Sequence, residues 1–360
     1  MGDKVEKHKI KGQTIRTIDE ELKKTEAEYC RQSYRTFLTA PEWRNVDMAV
    51  EMAAFLQAGR PFYKYPYFSQ ILTFWQIFFK SLKAAHTKHS WFELIFSEYT
   101  LMNLFIGVTT SIECLAKGIF ALPFRFLGKE RNETKFQQHV ASMYKDYADS
   151  LHHTPFFLYA YLDKIGPMWR LYWKNPKTIA DTATLLVTTV EFLARSIPSL
   201  PIRWWYTQPE NTEPEIIHVV VKHKEGVSFD KVTENTKSSL QEKILKRKNK
   251  KNEATLYSHM QFKRYDKFNE IMQEVAAITE NDNIKIKKIA GQDEIQVDFK
   301  INQENITTAQ NILGSSILYT YSNSIDDSFI IAAKIKVEDL LSIVKQVNEH
   351  DIQVKLIHDF

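Results

Sequence analysis

Glycine is scarce in this chain, ten in 360 residues, and so is cysteine, two in all. The ten glycines are scattered, and no strand, glycine loop and helix for phosphate or dinucleotide binding can be assembled from them. Cys30 and Cys114 cannot build a disulfide framework or a cysteine zinc ribbon. Cys114 falls midway along an apolar helix, where a thiol acts as a small buried hydrophobe. A strong charge of either sign is also missing. The net +4 is small for the length, so nucleic acid is not expected as a partner. The polar, charged residues Met1 to Lys11 are no secretory signal, and Glu6 breaks the myristoylation pattern that Gly2 would start. Local spacing singles out no Ser/His/Asp, Cys/His or paired-carboxylate arrangement. No enzyme activity, cofactor or metal is therefore expected.

What the chain does have is a compositional split. Residues 1–210 hold 27 Lys+Arg against 21 Asp+Glu, and residues 211–360 hold 21 against 23. All seven Trp and both Cys lie in the first part. The length suits about two domains. We expect a multidomain α+β protein. It has a charged arm over residues 1–16, an aromatic-rich, all-helical, membrane-associated domain over 17–206, a linker over 207–214, and an α+β domain over 215–360.

Within the helical part, Thr109–Leu127 recurs without a gap at Val187–Trp205. Glu113 falls on Glu191, Lys117 on Arg195, Pro123 on Pro201 and Arg125 on Arg203. Each copy reads as an apolar helix closed by Leu-Pro-x-Arg and large apolar residues, with Pro198 and Pro201 ending the second. Pro41 is expected to close a first helix begun at Thr17, and a second to run from Asn45 to Ala58. Further helices are expected at Gln70–Leu82 and Lys135–Leu151, and Phe156–Trp173 is expected to break at Gly166-Pro167. Residues 99–112 carry no charge but are too short to cross a bilayer alone; 99–124 would be long enough.

Glu113/Lys117 and Glu191/Arg195 stand at i,i+4 with the acid N-terminal, the favourable order. In an apolar helix such a pair lets two charges be buried, because each partly neutralises the other. We expect buried or interfacial ion pairs within a helical bundle. Phe124, Arg125, Phe126, Arg203, Trp204 and Trp205 have the character of membrane-interface anchors, aromatic rings at headgroup depth with arginine meeting lipid phosphate. His152-His153 reads as a helix-end pair, and His218 and His223 are spaced for opposite faces of a strand.

From Glu215 the texture changes to short alternating strands and helices. A helix is expected at Phe229–Leu245 and a solvated basic loop at Lys243–Lys251. Then come a strand at Thr255–Phe262, a helix at Tyr265–Ile278 and a hairpin of Ile284–Ile289 with Glu294–Ile301. A helix at Ile306–Leu313 precedes a final strand, helix and strand at Phe329–Ile335, Val337–Val347 and Ile352–Ile357. This pattern suggests helices covering one face of a sheet, in a ferredoxin-like order. The role that fits is a non-catalytic accessory or scaffold subunit of a large membrane protein complex, with protein subunits and lipid headgroups as partners. The lysine bias, 36 to 12 over arginine, together with the lack of a secretory signal, suggests an organellar inner membrane such as the mitochondrial one. Two rivals are a soluble effector or lipid-binding protein whose aromatic helices enclose a ligand pocket, and an enzyme whose site hides in the α+β domain.

Overall fold

The computed structural model describes residues 34–127, 134–151, 154, 156–175, 178–206, 216–224, 245–248, 254–263, 268–277, 284–323 and 328–358. The arm of residues 1–16, most of the first expected helix, His152, His153, the 207–214 linker and nearly all of the expected Phe229–Leu245 helix lie outside them. The chain divides into two units. One is Ala40–Pro214 with the short stretch Asn323–Asp326; the other holds residues up to Thr39 together with Glu215–Ser322 and Asp327–Phe360. The first is helical in its described parts, and the second is built on two antiparallel sheets.

Among the described residues the second unit starts, unexpectedly, with α1 (Arg35–Leu38). In the helical unit, α2 (Ala40–Gln57) takes Pro41 into its first turn. Proline does not close a helix there; its missing N–H would be unsatisfied in any case. A 3₁₀ turn (Phe62–Lys64), α3 (Tyr67–His86), α4 (Trp91–Ile95) and α5 (Glu98–Leu127) follow. Then come α6 (Lys135–Leu151), a second 3₁₀ turn (Phe156–Leu158), α7 (Tyr161–Lys174) and α8 (Ile179–Tyr206).

The prolines do not end these helices. α5 runs through Pro123, α7 runs through Gly166-Pro167, and α8 passes Pro198 and Pro201 to Tyr206. A helical proline removes one hydrogen bond. In α8 the freed carbonyls are those of Ala194 and Ile197, and the nearby serines bond elsewhere: Ser196 donates to the Leu193 carbonyl at 2.7 Å and Ser199 to the Arg195 carbonyl at 2.6 Å.

The duplication is larger than the long helices. Pro61-Phe62-x-x-Tyr65-x-Tyr67 recurs 94 residues on as Pro155-Phe156-x-x-Tyr159-x-Tyr161. Both segments fold alike. The Tyr65 amide reaches the Phe62 carbonyl at 3.1 Å and the Tyr159 amide the Phe156 carbonyl at 3.3 Å. Tyr67 and Tyr161 then open α3 and α7. The unit is thus helix, 3₁₀ turn, helix and long helix, twice, with α4 as an insertion in the first copy. The leading helices α2 and α6 pack on each other, and each 3₁₀ turn packs on the long helix of its own copy. α3 lies close on α5 because two positions lack a side chain. A Cβ on Gly107 would fall 2.5 Å from the Phe74 ring, and one on Gly118 2.9 Å from the Phe68 ring.

In the other unit, β1 (Ile216–Lys224), β2 (Leu245–Lys248), β3 (Ala254–Lys263) and β4 (Ile284–Ile289) make the first sheet, with α9 (Phe268–Ala277) between β3 and β4. β5 (Glu294–Ile301), β6 (Ile317–Ser322), β7 (Phe329–Lys336) and β8 (Gln353–Ile357) make the second, with α10 (Ile306–Leu313) between β5 and β6 and α11 (Leu340–Glu349) between β7 and β8. The orders are β2-β3-β1-β4 and β6-β7-β5-β8. In both, the run's first strand lies between its third and fourth. Val219, Ile286, Val297, Phe299, Met272 and Val344 belong to one apolar core.

β4 and β5 do not form the expected hairpin. β4 pairs with β1, and β5 with β7 and β8. Ala290 and Gly291, at φ +48° and +79°, turn the chain from one sheet into the next. Part of the basic run expected as a loop, Leu245–Lys248, is strand paired with β3.

α1 is tied to the second sheet by buried polar contacts. The Gln296 amide donates to the Thr36 hydroxyl at 2.8 Å, and the Thr39 hydroxyl lies 2.9 Å from His358 Nδ1. His358 Nε2 lies 3.2 Å from Asp298 Oδ2. Thr36, Thr39, Gln296, Asp298 and His358 are all buried, so this series braces the fold and meets no solvent.

Candidate functional site: a charge ring beneath an apolar groove

Glu113 and Lys117 project from the middle of α5, Glu191 and Arg195 from the middle of α8. They form one closed ring of alternating charge. Lys117 Nζ lies 2.6 Å from Glu113 Oε1 and 2.5 Å from Glu191 Oε2. Arg195 Nη2 lies 2.7 Å from Glu113 Oε1 and 2.9 Å from Glu191 Oε1. The i,i+4 spacing supplies two edges and the meeting of the two repeats supplies the other two. Equivalent positions carry equivalent charges, so each acid faces the base of the other copy.

Two of the ring's members are buried. Lys117 is 7% exposed and Glu191 3%. Tyr144 of α6 donates to Glu191 Oε2, and the Arg195 guanidinium stacks 4.8 Å from the Tyr147 ring centre. Burial pushes the Glu113 carboxyl up, but Arg195 and Lys117 outweigh it, and the group ends well below the usual carboxylate range. Burial pushes Lys117 down, and Glu113 and Glu191 more than reverse that. Arg195 is raised in the same way. Glu113, Lys117 and Arg195 therefore hold their charges across the neutral range. The Cys114 thiol beside them is pushed up to about 12 by burial and by Glu113, which removes the thiolate a nucleophile would need. The ring offers fixed, self-compensated charge.

Two spaces flank it. On one side a small polar cavity of about 40 Å³ is lined by Tyr67, Cys114, Lys117 and Tyr144. On the other a groove of about 570 Å³ opens between α5 and α8, which make few contacts with each other. Its walls are Phe105, Ile112, Ala116 and Phe120 on α5 and Leu186, Val190 and Ala194 on α8. The ring and Tyr147 lie along its floor. The groove inherits the repeat, since Ile112 matches Val190 and Ala116 matches Ala194.

Beyond the groove the outward faces of both helices are apolar. Phe126 is 88% exposed, Ile197 71% and Trp204 71%, with Leu101, Leu193 and Leu200 also exposed, and the groove-wall residues Phe105, Ile112 and Val190 are exposed as well. Both helices are long and apolar enough to cross a membrane by length and composition. Exposed Phe68, Leu72 and Phe79 on α3 and Trp91, Phe92 and Phe96 around α4 add to the apolar surface. α6 is the opposite case. Its inner side buries Val140, Tyr144 and Tyr147, while Lys135, Gln138, Ser142, Lys145, Asp146 and Asp149 face water.

The six interface residues read from the repeat separate. Phe126, Arg203 and Trp204 are exposed, and Phe124 is half-buried against Tyr63 with ring centres 6.2 Å apart. The Arg125 guanidinium is taken up inside the unit, donating to the Tyr63 and Tyr65 carbonyls at 2.9 and 3.0 Å. Trp205's side chain lies outside the described residues. Sequence reasoning missed Tyr144, Tyr147 and the groove walls; the second repeat, at Pro61 and Pro155, was the signal for how the copies meet. Among the described residues no cluster of three or more His, Cys, Asp and Glu is placed to hold a metal ion. No family model, no curated protein and no solved structure matches the chain.

Proposed function

We propose that this protein is a non-catalytic accessory or scaffold subunit of a membrane complex and that its helical unit docks on the bilayer. One observation carries the reading: α5 and α8 expose a continuous series of large apolar side chains over most of their length. Soluble monomers rarely leave so large an apolar patch uncovered, and such patches mark membrane or protein interfaces. The polar face of α6 supports one way for the unit to sit. Tyr144 places α6 at the depth of the charge ring, halfway along both long helices. If those helices crossed the bilayer, Lys145, Asp146 and Asp149 would stand near its centre, at a cost of several kcal/mol. We therefore read the unit as lying on the membrane, with α5 and α8 inward and α6 toward water, as interfacial helices do. Phe126, Trp204 and Arg203 then mark headgroup depth. In the other unit, the strand order of both sheets fits a ferredoxin-like βαββαβ unit, and we read the chain's second half as two of these in tandem.

Liposome flotation of the full chain tests the docking. Binding that survives high salt is expected, because apolar burial is not screened as charge is. A well-folded protein that floats at neither low nor high salt would end the reading. Purification of the tagged native protein from membranes, with identification of co-purifying chains, tests the scaffold role.

A further inference from the structure

We propose that the groove between α5 and α8 is a binding site for one acyl chain of a membrane lipid. The inference rests on the docking reading, which places the mouth of the groove against the bilayer, and it goes further by assigning the space an occupant. Three features select a hydrocarbon chain. The walls are mostly apolar, through Phe105, Ile112, Phe120, Leu186 and Val190, with Asn45, Thr109 and Thr110 also on the lining. The floor is charged but balanced: two acids and two bases close on one another, leaving no net charge to hold an acidic headgroup. The groove also has length to spare: Phe105 to Phe120 spans fifteen residues of helix, roughly 22 Å at 1.5 Å per residue, so a chain that reaches about 15 Å across half the hydrocarbon core has room to lie in it along the helices.

Two of the lining positions are small: Ala116 and Ala194, equivalent in the repeat, both line the groove. Large residues there would close it. An occupying chain would also strip water from the open side of the ring, where Glu113 and Arg195 remain about a quarter exposed. That strengthens the ion pairs by lowering the local dielectric. Bound lipid and ring stability are thereby coupled.

The test uses the full chain on phosphatidylcholine vesicles in which part of the lipid carries a photoactivatable diazirine in its acyl chain. Crosslinked residues are mapped by mass spectrometry. Adducts on Ile112, Ala116, Val190 and Ala194 are expected, in addition to those on outward residues such as Phe126 and Ile197. Ala116→Trp and, separately, Ala194→Trp should cut the yield at Ile112 and Val190 by about tenfold. Both should leave the outward adducts and flotation unchanged. Wild-type protein that floats and crosslinks at Phe126 and Ile197 but not inside the groove overturns the lipid site while the docking reading stands. Groove adducts that persist in a folded Trp variant overturn it as well. A folded wild type that does not float removes both readings. The wild-type map does not depend on the variants, so a Trp variant that fails to fold leaves the test intact.

Discussion

Glu191→Leu is the substitution that probes the ring most directly. Glu191 is the ring's most buried member, its side chain 1% exposed, and three groups converge on it: Lys117, Arg195 and the Tyr144 hydroxyl. Removing it leaves two cations sharing Glu113, and Lys117 is buried to 8% at its side chain. Taking one partner from a buried ion pair costs about 3–5 kcal/mol, because the remaining charge has lost its compensation without regaining water. Glu113 stays 2.6 Å from Lys117, which argues for the lower end of that range, and the stranded Tyr144 hydroxyl raises it again. For a unit of this size 1 kcal/mol moves Tm by about 2–4 °C, so a fall of roughly 6–15 °C is expected. The matched control replaces the whole ring and its tyrosine: Glu113→Leu, Lys117→Met, Glu191→Leu, Arg195→Met and Tyr144→Phe. Swapping buried ionic groups for apolar ones of similar volume is often neutral or stabilising, so this variant should melt near or above the wild type. The assay is thermal unfolding followed by far-UV circular dichroism, in one detergent for all three proteins. A Glu191→Leu protein melting within about 1 °C of wild type would refute the buried ring, since only a solvated pair is worth that little. A control that melts as low as the single variant would refute the reasoning about compensation.

Three further outcomes are expected. Glu113's carboxyl lies below its ordinary value of 4.5 in the folded protein, so the unfolded chain binds the extra proton; the stability it contributes is complete above 4.5 and is lost as pH falls below it, and melting curves from pH 7 to 3 should decline less steeply in Glu113→Gln. Gly107→Ala puts a methyl 2.5 Å from the Phe74 ring and should cost about 1–3 kcal/mol, whereas Gly166→Ala in α7 meets nothing within 4 Å and should stabilise by up to about 1 kcal/mol; chemical denaturation separates the two. Thr36→Val strands the Gln296 amide at a cost of about 1–3 kcal/mol, and hydrogen exchange at that amide should quicken while exchange at Met272 and Ile286 changes less.

The repeat was legible in sequence because equivalent acids, bases and prolines recur at one offset without a gap. It also placed the four ring residues, since i,i+4 spacing brings acid and base together on any helix. The ends of elements were less legible. Pro41, Pro123, Pro167 and Pro201 read as stops, since a lone helix loses a hydrogen bond at each. In the fold the surrounding packing carries the helices through. The hairpin expected from Ile284–Ile289 and Glu294–Ile301 failed for a related reason. Both strands have the bounds their β-branched runs suggest, but pairing is chosen by which sheet buries each face.

Sequence by itself determined where the apolar surface, the acids and the bases lie along each helix, because side-chain order and helical period settle that before any packing occurs. It determined too that neither half carries a glycine loop or a cysteine framework. Tertiary structure alone decided that Glu113 meets Arg195 and Lys117 meets Glu191, that Arg125 turns inward to the Tyr63 and Tyr65 carbonyls, and that Thr36 and Thr39 brace a sheet more than 250 residues away in sequence. These are contacts between segments far apart in the chain, and local spacing says nothing about which distant partner a side chain will find. The groove follows the same rule. Ala116 and Ala194 make a space only because two copies of one helix stop short of touching.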